Sequence, residues 1–177
     1  FMELSVVIVD DDIAFCDALS RAFKKRNYLT CVVNNFVELE ALDNLQDIQY
    51  GVVDLRIGAE SGLNVIRLLL QKNPKIKIVM LTAYASIATT VEAMKLGAVN
   101  YLTKPASVQD IIDKLQDSVA DMKTPIEETP LSVKRLEWEH LQKVLLEHDG
   151  NISAAARALN MHRRTLQRKL QKYPVKR

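Results

Sequence analysis

The chain has 177 residues, 48% of them hydrophobic, and a formal net charge of +2. That is enough for one well-filled domain and a smaller second one, and no apolar run reaches bilayer-spanning length, which argues against a membrane protein or a membrane partner. The small net charge hides an asymmetry. Residues 1–131 hold 13 Lys+Arg against 18 Asp+Glu, whereas residues 132–177 hold 11 against 4, and residues 150–177 hold eight basic residues and no acidic one. A basic end of that kind is the footprint expected for a partner with a phosphate backbone. Met2 reads as the native start with no charged-then-apolar leader behind it, which favours the cytoplasm. Cys16 and Cys31 match no metal spacing and read as small core residues of a reducing compartment.

In chain order, residues 4–9 form a continuous apolar strand running into Asp10-Asp11-Asp12, after which Phe15, Cys16, Leu19, Ala22 and Phe23 recur at helical spacing, with Asp12 as the cap. Residues 29–33 read as a second strand and residues 37–45 as a less regular helix. Residues 50–55 are a third strand ending at Asp54. After a turn containing Gly58 and Gly62, Leu63, Ile66, Leu69 and Leu70 give a helix face. Residues 76–81 are a fourth strand; Ser86 caps a helix carrying Ile87, Val91 and Met94 and ended by Gly97. Residues 99–102 are a fifth strand. After Lys104-Pro105, Ser107 caps a helix with a stripe of Val108, Ile111, Ile112, Leu115, Val119 and Met122.

Residues 121–130 carry two prolines and no apolar period, so they read as a linker. The expected domains are residues 3–122, a linker over 123–131, and residues 132–177. In the last part Ser132 caps a helix with Leu136, Trp138, Leu141, Val144 and Leu145 on its apolar face, stopped by Gly150. Ser153 caps a short helix with Ala155, Ala156 and Leu159. A turn at Asn160 leads into a helix with Leu166, Leu170 and Tyr173 on one face and Arg163, Arg164, Gln167 and Arg168 on others. Two helices joined by a tight turn, the second one basic, make a helix-turn-helix.

Five strands alternating with five helices predict an α/β, parallel, doubly wound (βα)5 sheet followed by a small all-α domain. Near-continuous apolar strands mean that both sheet faces are covered. The strands' carboxyl ends then bring Asp10, Asp11, Asp54, Thr82 and Lys104 to one edge. Carboxylates a few ångströms apart repel by about 4 kcal/mol per pair at an effective dielectric of 20. A hard divalent cation such as Mg²⁺, held by few carboxylates and completed by phosphate oxygens, relieves that repulsion. With a lysine and a hydroxyl alongside, the site suits phosphoryl transfer to Asp54 as nucleophile.

The runs Val-Asp-Asp-Asp, Val-Val-Asp-Leu-Arg, Leu-Thr-Ala-Tyr and Tyr-Leu-Thr-Lys-Pro resemble the receiver domain of two-component response regulators over about residues 3–122. The resemblance implies Asp54 as phosphoacceptor for a sensor histidine kinase. It implies Asp11 as a direct metal ligand, Asp10 acting directly or through water, and the Arg56 backbone carbonyl as a further ligand. Thr82 is then the switch hydroxyl, Lys104 the phosphoryl contact and Tyr101 the aromatic that follows the switch. Lys104-Pro105 is similar to that family's cis-proline turn, and Gly58 stands where many receivers have proline. Beyond self-phosphorylation and dephosphorylation no enzyme activity is expected.

Residues 150–170 resemble the DNA-binding end of the Fis family. That implies base contacts from His162 and Arg163 and phosphate contacts from Thr165, Arg168 and Lys169 on double-stranded DNA. Arg164, where Fis proteins often carry a small residue, joins this set without a defined contact. A receiver joined to such a module, with no Gly-x-x-x-x-Gly-Lys-Ser/Thr phosphate loop between them, resembles the PrrA/RegA/ActR group, which suggests a redox or respiratory regulon. The expected mechanism is homodimerisation on phosphorylation, with two readers on half-sites about one helical turn apart. Two alternatives remain: a protein-docking helical tail, and a haloacid-dehalogenase-like phosphatase with Asp10 as nucleophile, which expects Thr or Val where Ala14 stands.

Overall fold

A computed structural model describes residues 3–83, 86–117 and 132–172. They fall into two compact units, one drawn from residues 1–83 and 93–120 and the other from residues 84–92 and 121–177. The expected linker, Val119, Met122 and Tyr173 lie outside the described residues. No helix among those described is long and apolar enough to cross a membrane.

The first unit is built on a five-stranded sheet of β1 (Leu4–Val9), β2 (Tyr28–Val33), β3 (Tyr50–Val53), β6 (Lys77–Thr82) and β7 (Asn100–Thr103). All pairings are parallel, in the order β2-β1-β3-β6-β7. The chain leaves β1 toward β2 and returns to β3 on the other side, so the strand order reverses between β1 and β3. That crevice is where open α/β sheets hold ligands. Helices α1 (Ile13–Lys24), α2 (Phe36–Glu40), α3 (Gly62–Lys72), α4 (Ile87–Leu96) and α5 (Val108–Gln116) connect the strands. One core cluster packs Val6, Ile8, Val52, Val79 and Leu81 of the sheet with Cys16, Leu19, Phe23, Ile111 and Leu115 of α1 and α5. Burying each large side chain contributes about 1.5–3 kcal/mol.

Side-chain caps begin the helices as the sequence suggests. Asp12 accepts from the Phe15 N–H at 3.0 Å, and Ser107 with Asp110 forms a reciprocal capping box on α5. Ser86 caps α4 by accepting from the Thr89 N–H at 3.1 Å. The peptide Lys104-Pro105 is cis.

Several expectations change. β3 ends at Val53, and the following loop holds a small hairpin, β4 (Arg56–Ile57) with β5 (Glu60–Ser61). Gly58, at φ 59°, opens its two-residue turn, a conformation that proline cannot adopt. The second helix is only five residues long and is followed by a 3₁₀ turn over Leu45–Asp47. Of the three apolar residues noted on α4, Ile87 is 59% and Val91 46% exposed, while Met94 is half-buried. Thr89 and Ala93, one turn apart, are buried, and the Thr89 hydroxyl pairs with that of Ser86 at 2.7 Å. Ser153 does not cap its helix; Asn151 does, accepting from the Ala154 N–H at 3.0 Å.

The second unit includes α6 (Val133–Glu147), α7 (Ile152–Ala158) and α8 (Arg163–Gln171). Its core joins Leu141 and Val144 of α6, Ala155 and Ala156 of α7, and Leu166 and Leu170 of α8. Leu136, expected in that core, is 52% exposed. Asn160 joins α7 to α8 at φ 52°, a left-handed conformation that asparagine tolerates.

Candidate functional site

The carboxyl ends of the neighbouring strands β1 and β3 set two aspartates side by side. The Asp54 N–H donates to the Val9 carbonyl at 3.0 Å, and the Asp10 N–H donates to Val33 at 3.1 Å, so the parallel ladder itself fixes both backbones. Asp10 and Asp54 are buried, whereas Asp11 is exposed. Each of the three offers a carboxylate oxygen, and those oxygens lie within 4.8 Å of one another.

Lys104 closes the group from the end of β7. Its Nζ donates to Asp10 Oδ2 at 2.5 Å and to Asp54 Oδ2 at 3.1 Å. It is steered by the Lys104 N–H bond to the Thr82 carbonyl at 3.0 Å and by the Phe15 ring, whose centroid is 4.1 Å away. Burial works against the ammonium, but the bond from Asp10 and the charges of Asp54 and Asp10 outweigh it and hold the lysine pKa above its ordinary value. For Asp10, burial is the larger influence. It raises the carboxyl pKa against the pull of Lys104 and the Asp12 N–H, and the Asp54 charge adds to the rise.

Further contacts shape the acidic pair. The Gly58 N–H donates to Asp11 Oδ2 at 2.8 Å, which ties the β4–β5 hairpin to Asp11; a proline at that position would have no N–H to give. Asn34 Nδ2 donates to the Asp10 carbonyl at 2.8 Å, and the Cys16 thiol lies 3.4 Å from the same oxygen. Burial pushes that thiol up to about 12. Gly62 is a third, steric constraint: a Cβ there would fall 2.0 Å from the Asp54 carbonyl oxygen. Only the glycines at 58 and 62 left a signal in the sequence. Nothing pointed to Asn34, because its partner lies 24 residues away.

The other expected residues lie as follows. Thr82 ends β6, fully buried, and pairs in register with Thr103. Tyr101 is half-buried on β7 opposite Met80. The Arg56 N–H lies 3.5 Å from Asp54 Oδ1. The donor set is all carboxylate, open to solvent on the Asp11 side and balanced by one lysine, which suits a hard divalent cation with oxygen ligands.

In the second unit, His162 is the N-cap residue of α8 and makes no side-chain cap bond. It is exposed together with Arg163, Arg164 and Arg168, while Thr165 is half-buried. Lys169 is half-buried and bonds to the Glu137 carboxylate on α6. Its hydrogen bond and charge hold the Glu137 carboxyl below the usual range.

Comparison with known proteins gives two matches along the chain. Residues 6–116 match the response regulator receiver domain, and residues 132–173 match the bacterial regulatory protein, Fis family. The photosynthetic apparatus regulatory protein RegA of Rhodovulum sulfidophilum is 44% identical over 95% of this chain and 91% of its own length. The acid tolerance regulatory protein ActR of Sinorhizobium medicae is 42% identical over 95% of this chain and 86% of its own. A crystal structure of a response regulator from Burkholderia pseudomallei, with a phosphorylated aspartic acid, calcium ion and citrate, is 44% identical. It covers 96% of this chain and 99% of that one, at a TM-score of 0.66.

Proposed function

The chain belongs to the response regulators, as a receiver domain followed by a Fis-family helix-turn-helix, and from that premise we propose how its own residues work. A sensor histidine kinase transfers a phosphoryl group to Asp54 in the cytoplasm, and the change in the receiver alters DNA binding by α8. The bridge from Lys104 to both Asp10 and Asp54 carries this reading: one cation already spans the two carboxylates between which phosphoryl charge would arrive.

In this reading Asp54 is the nucleophile, with one oxygen available for in-line attack. Asp11, Asp10, Asp54 and the Arg56 carbonyl would hold Mg²⁺, which when bound neutralises charge on the phosphoryl oxygens. Lys104 keeps its place beside Asp54 and moves its donor from carboxylate to phosphoryl oxygen. Thr82 supplies a hydroxyl donor from the end of the adjacent strand, and Tyr101 on β7 follows that movement. Relatives named for photosynthesis and for acid tolerance accord with a broad regulatory role, which we take to be redox or respiratory here.

His162, Arg163, Arg164, Thr165 and Arg168 form the DNA-contacting set. Phosphorylation favours a homodimer, so that two weak readers act on one duplex with a high effective concentration. The shift is limited by how differently the phosphate stabilises the two states. The experiment is sedimentation and duplex binding of the full chain with a small-molecule phosphodonor and Mg²⁺. The wild type should dimerise and bind more tightly, while Asp54→Asn should do neither. An Asp54→Asn protein that responds like the wild type would overturn the proposal.

A further inference from the structure

The four cations between Arg163 and Lys169 are not equivalent. Leu166 and Leu170 set the inward direction of α8, since both are buried against α6 and α7. At roughly 100° per residue, Arg164 and Arg168 fall opposite that pair and one turn apart. Both are exposed, and among the described residues neither takes part in an ion pair. Lys169 points along a different flank, where its ammonium is bonded to Glu137 of α6. One positive charge of the helix is thus paired along its flank with a carboxylate of the same unit, and two are presented at the centre of its outer face.

We infer that Lys169 is a tether between α8 and α6 rather than the phosphate contact that the resemblance implies, and that Arg164 and Arg168, one turn apart, read guanine in the major groove beside Arg163 at the helix start, Arg168 thereby contacting a base rather than a phosphate. This rests on the proposed DNA-binding role and deepens it. The chemistry is that of the guanidinium fork, which matches the O6 and N7 acceptors of guanine bidentately, whereas an ammonium acts as a point charge. The Glu137 carboxylate beside Lys169 also offsets its charge toward a phosphate and holds its stem along α6. Arg164 stands where Fis proteins often carry a small residue, so its contact is not one that the resemblance supplies.

The test uses the phosphodonor-treated full chain, selection from a random duplex pool, and binding titrations over a range of salt. The wild type should select guanine at two positions in each half-site. Arg164→Ala and Arg168→Ala should each lose one of them, with an affinity loss on the selected duplex of about 5- to 150-fold. Replacing that guanine by 7-deazaguanine, which lacks N7, should weaken the wild type and leave Arg164→Ala indifferent. Lys169→Gln should leave the slope of log K against log salt unchanged. Glu137→Gln, which frees the ammonium without removing it, should steepen the slope by up to ~0.9. Circular dichroism of each variant separates a lost contact from a lost fold. An unaltered motif in Arg164→Ala, or a slope reduced by ~0.9 in Lys169→Gln, overturns the inference alone. Absence of any salt-dependent duplex binding by the wild type overturns the reading on which it rests.

Discussion

Replacing Lys104 by methionine should destabilise the metal-free protein in a way that depends on pH. The ammonium lies 2.5 Å from Asp10 Oδ2 and 3.1 Å from Asp54 Oδ2, which at an effective dielectric of about 20 corresponds to attractions of ~7 and ~5 kcal/mol. Much of that gross attraction is offset by taking three charges out of water. What the substitution leaves is a pair of buried carboxylates with oxygens within 4.8 Å of each other, repelling by at least ~3 kcal/mol on the same scale. The protein can escape that repulsion by binding a proton. From the ordinary carboxyl value of 3.8, protonation at around pH 7 costs at most about 4 kcal/mol. The ceiling is lower for Asp10, whose pKa burial has already raised. The expected loss is therefore about 2–4 kcal/mol near pH 7.

The sign of the pH effect follows from the same proton. Without the lysine, the folded Asp10 carboxyl titrates still further above its unfolded value. The variant keeps its stability below the unfolded pKa and loses it as pH rises through the folded one, so the deficit should shrink to about 1–2 kcal/mol near pH 5. Urea unfolding of both proteins at the two pH values, with chelator and with Mg²⁺, measures this, and Mg²⁺ should narrow the gap by replacing the missing cation. A deficit equal at both pH values and indifferent to Mg²⁺ would refute the reasoning and leave only the packing of the lysine stem on Phe15.

Three further outcomes are expected around the site. Gly62→Ala should destabilise the protein by about 2–3 kcal/mol and cut phosphoryl acceptance by Asp54, because the new Cβ meets the Asp54 carbonyl at 2.0 Å; urea unfolding and phosphodonor labelling report both. Gly58→Pro should weaken Mg²⁺ binding about tenfold by calorimetric titration, since it removes the N–H held by Asp11 and a φ of 59°, whereas Gly58→Asn, able to adopt that φ, should stay close to wild type. The Cys16 thiol, pushed up to about 12 by burial, should escape iodoacetamide near pH 8 in the folded protein and react once urea exposes it, as read by peptide mass spectrometry.

The receiver sheet was legible because its central strands β1, β3 and β6 are largely buried and read as near-continuous apolar runs, and because Asp10, Asp54, Thr82 and Lys104 lie at or just beyond the strand ends. The hairpin over residues 56–61 was not, since two residues per strand leave no period to detect. The burial of α4 is not legible from its apolar residues, since Ile87 and Val91 are exposed while Thr89 and Ala93 are buried. Likewise Ser153 looked like a cap, yet Asn151 sits where the first free N–H groups of α7 point. The Lys169–Glu137 pair was hidden for another reason. Glu137 lies 32 residues from Lys169, so the pair that withdraws one cation exists only after α6 and α8 have packed together.

Phosphorylation at Asp54 is read by intact-mass measurement followed by peptide mapping. The full chain is treated with a small-molecule phosphodonor in Mg²⁺ or in chelator, beside Asp54→Asn and Asp10→Asn variants. One base-labile phosphoryl group per chain is expected, mapped to Asp54, absent from Asp54→Asn and absent in chelator. A phosphoryl group that persists in Asp54→Asn, or that maps to Asp10 in the wild type, would contradict it.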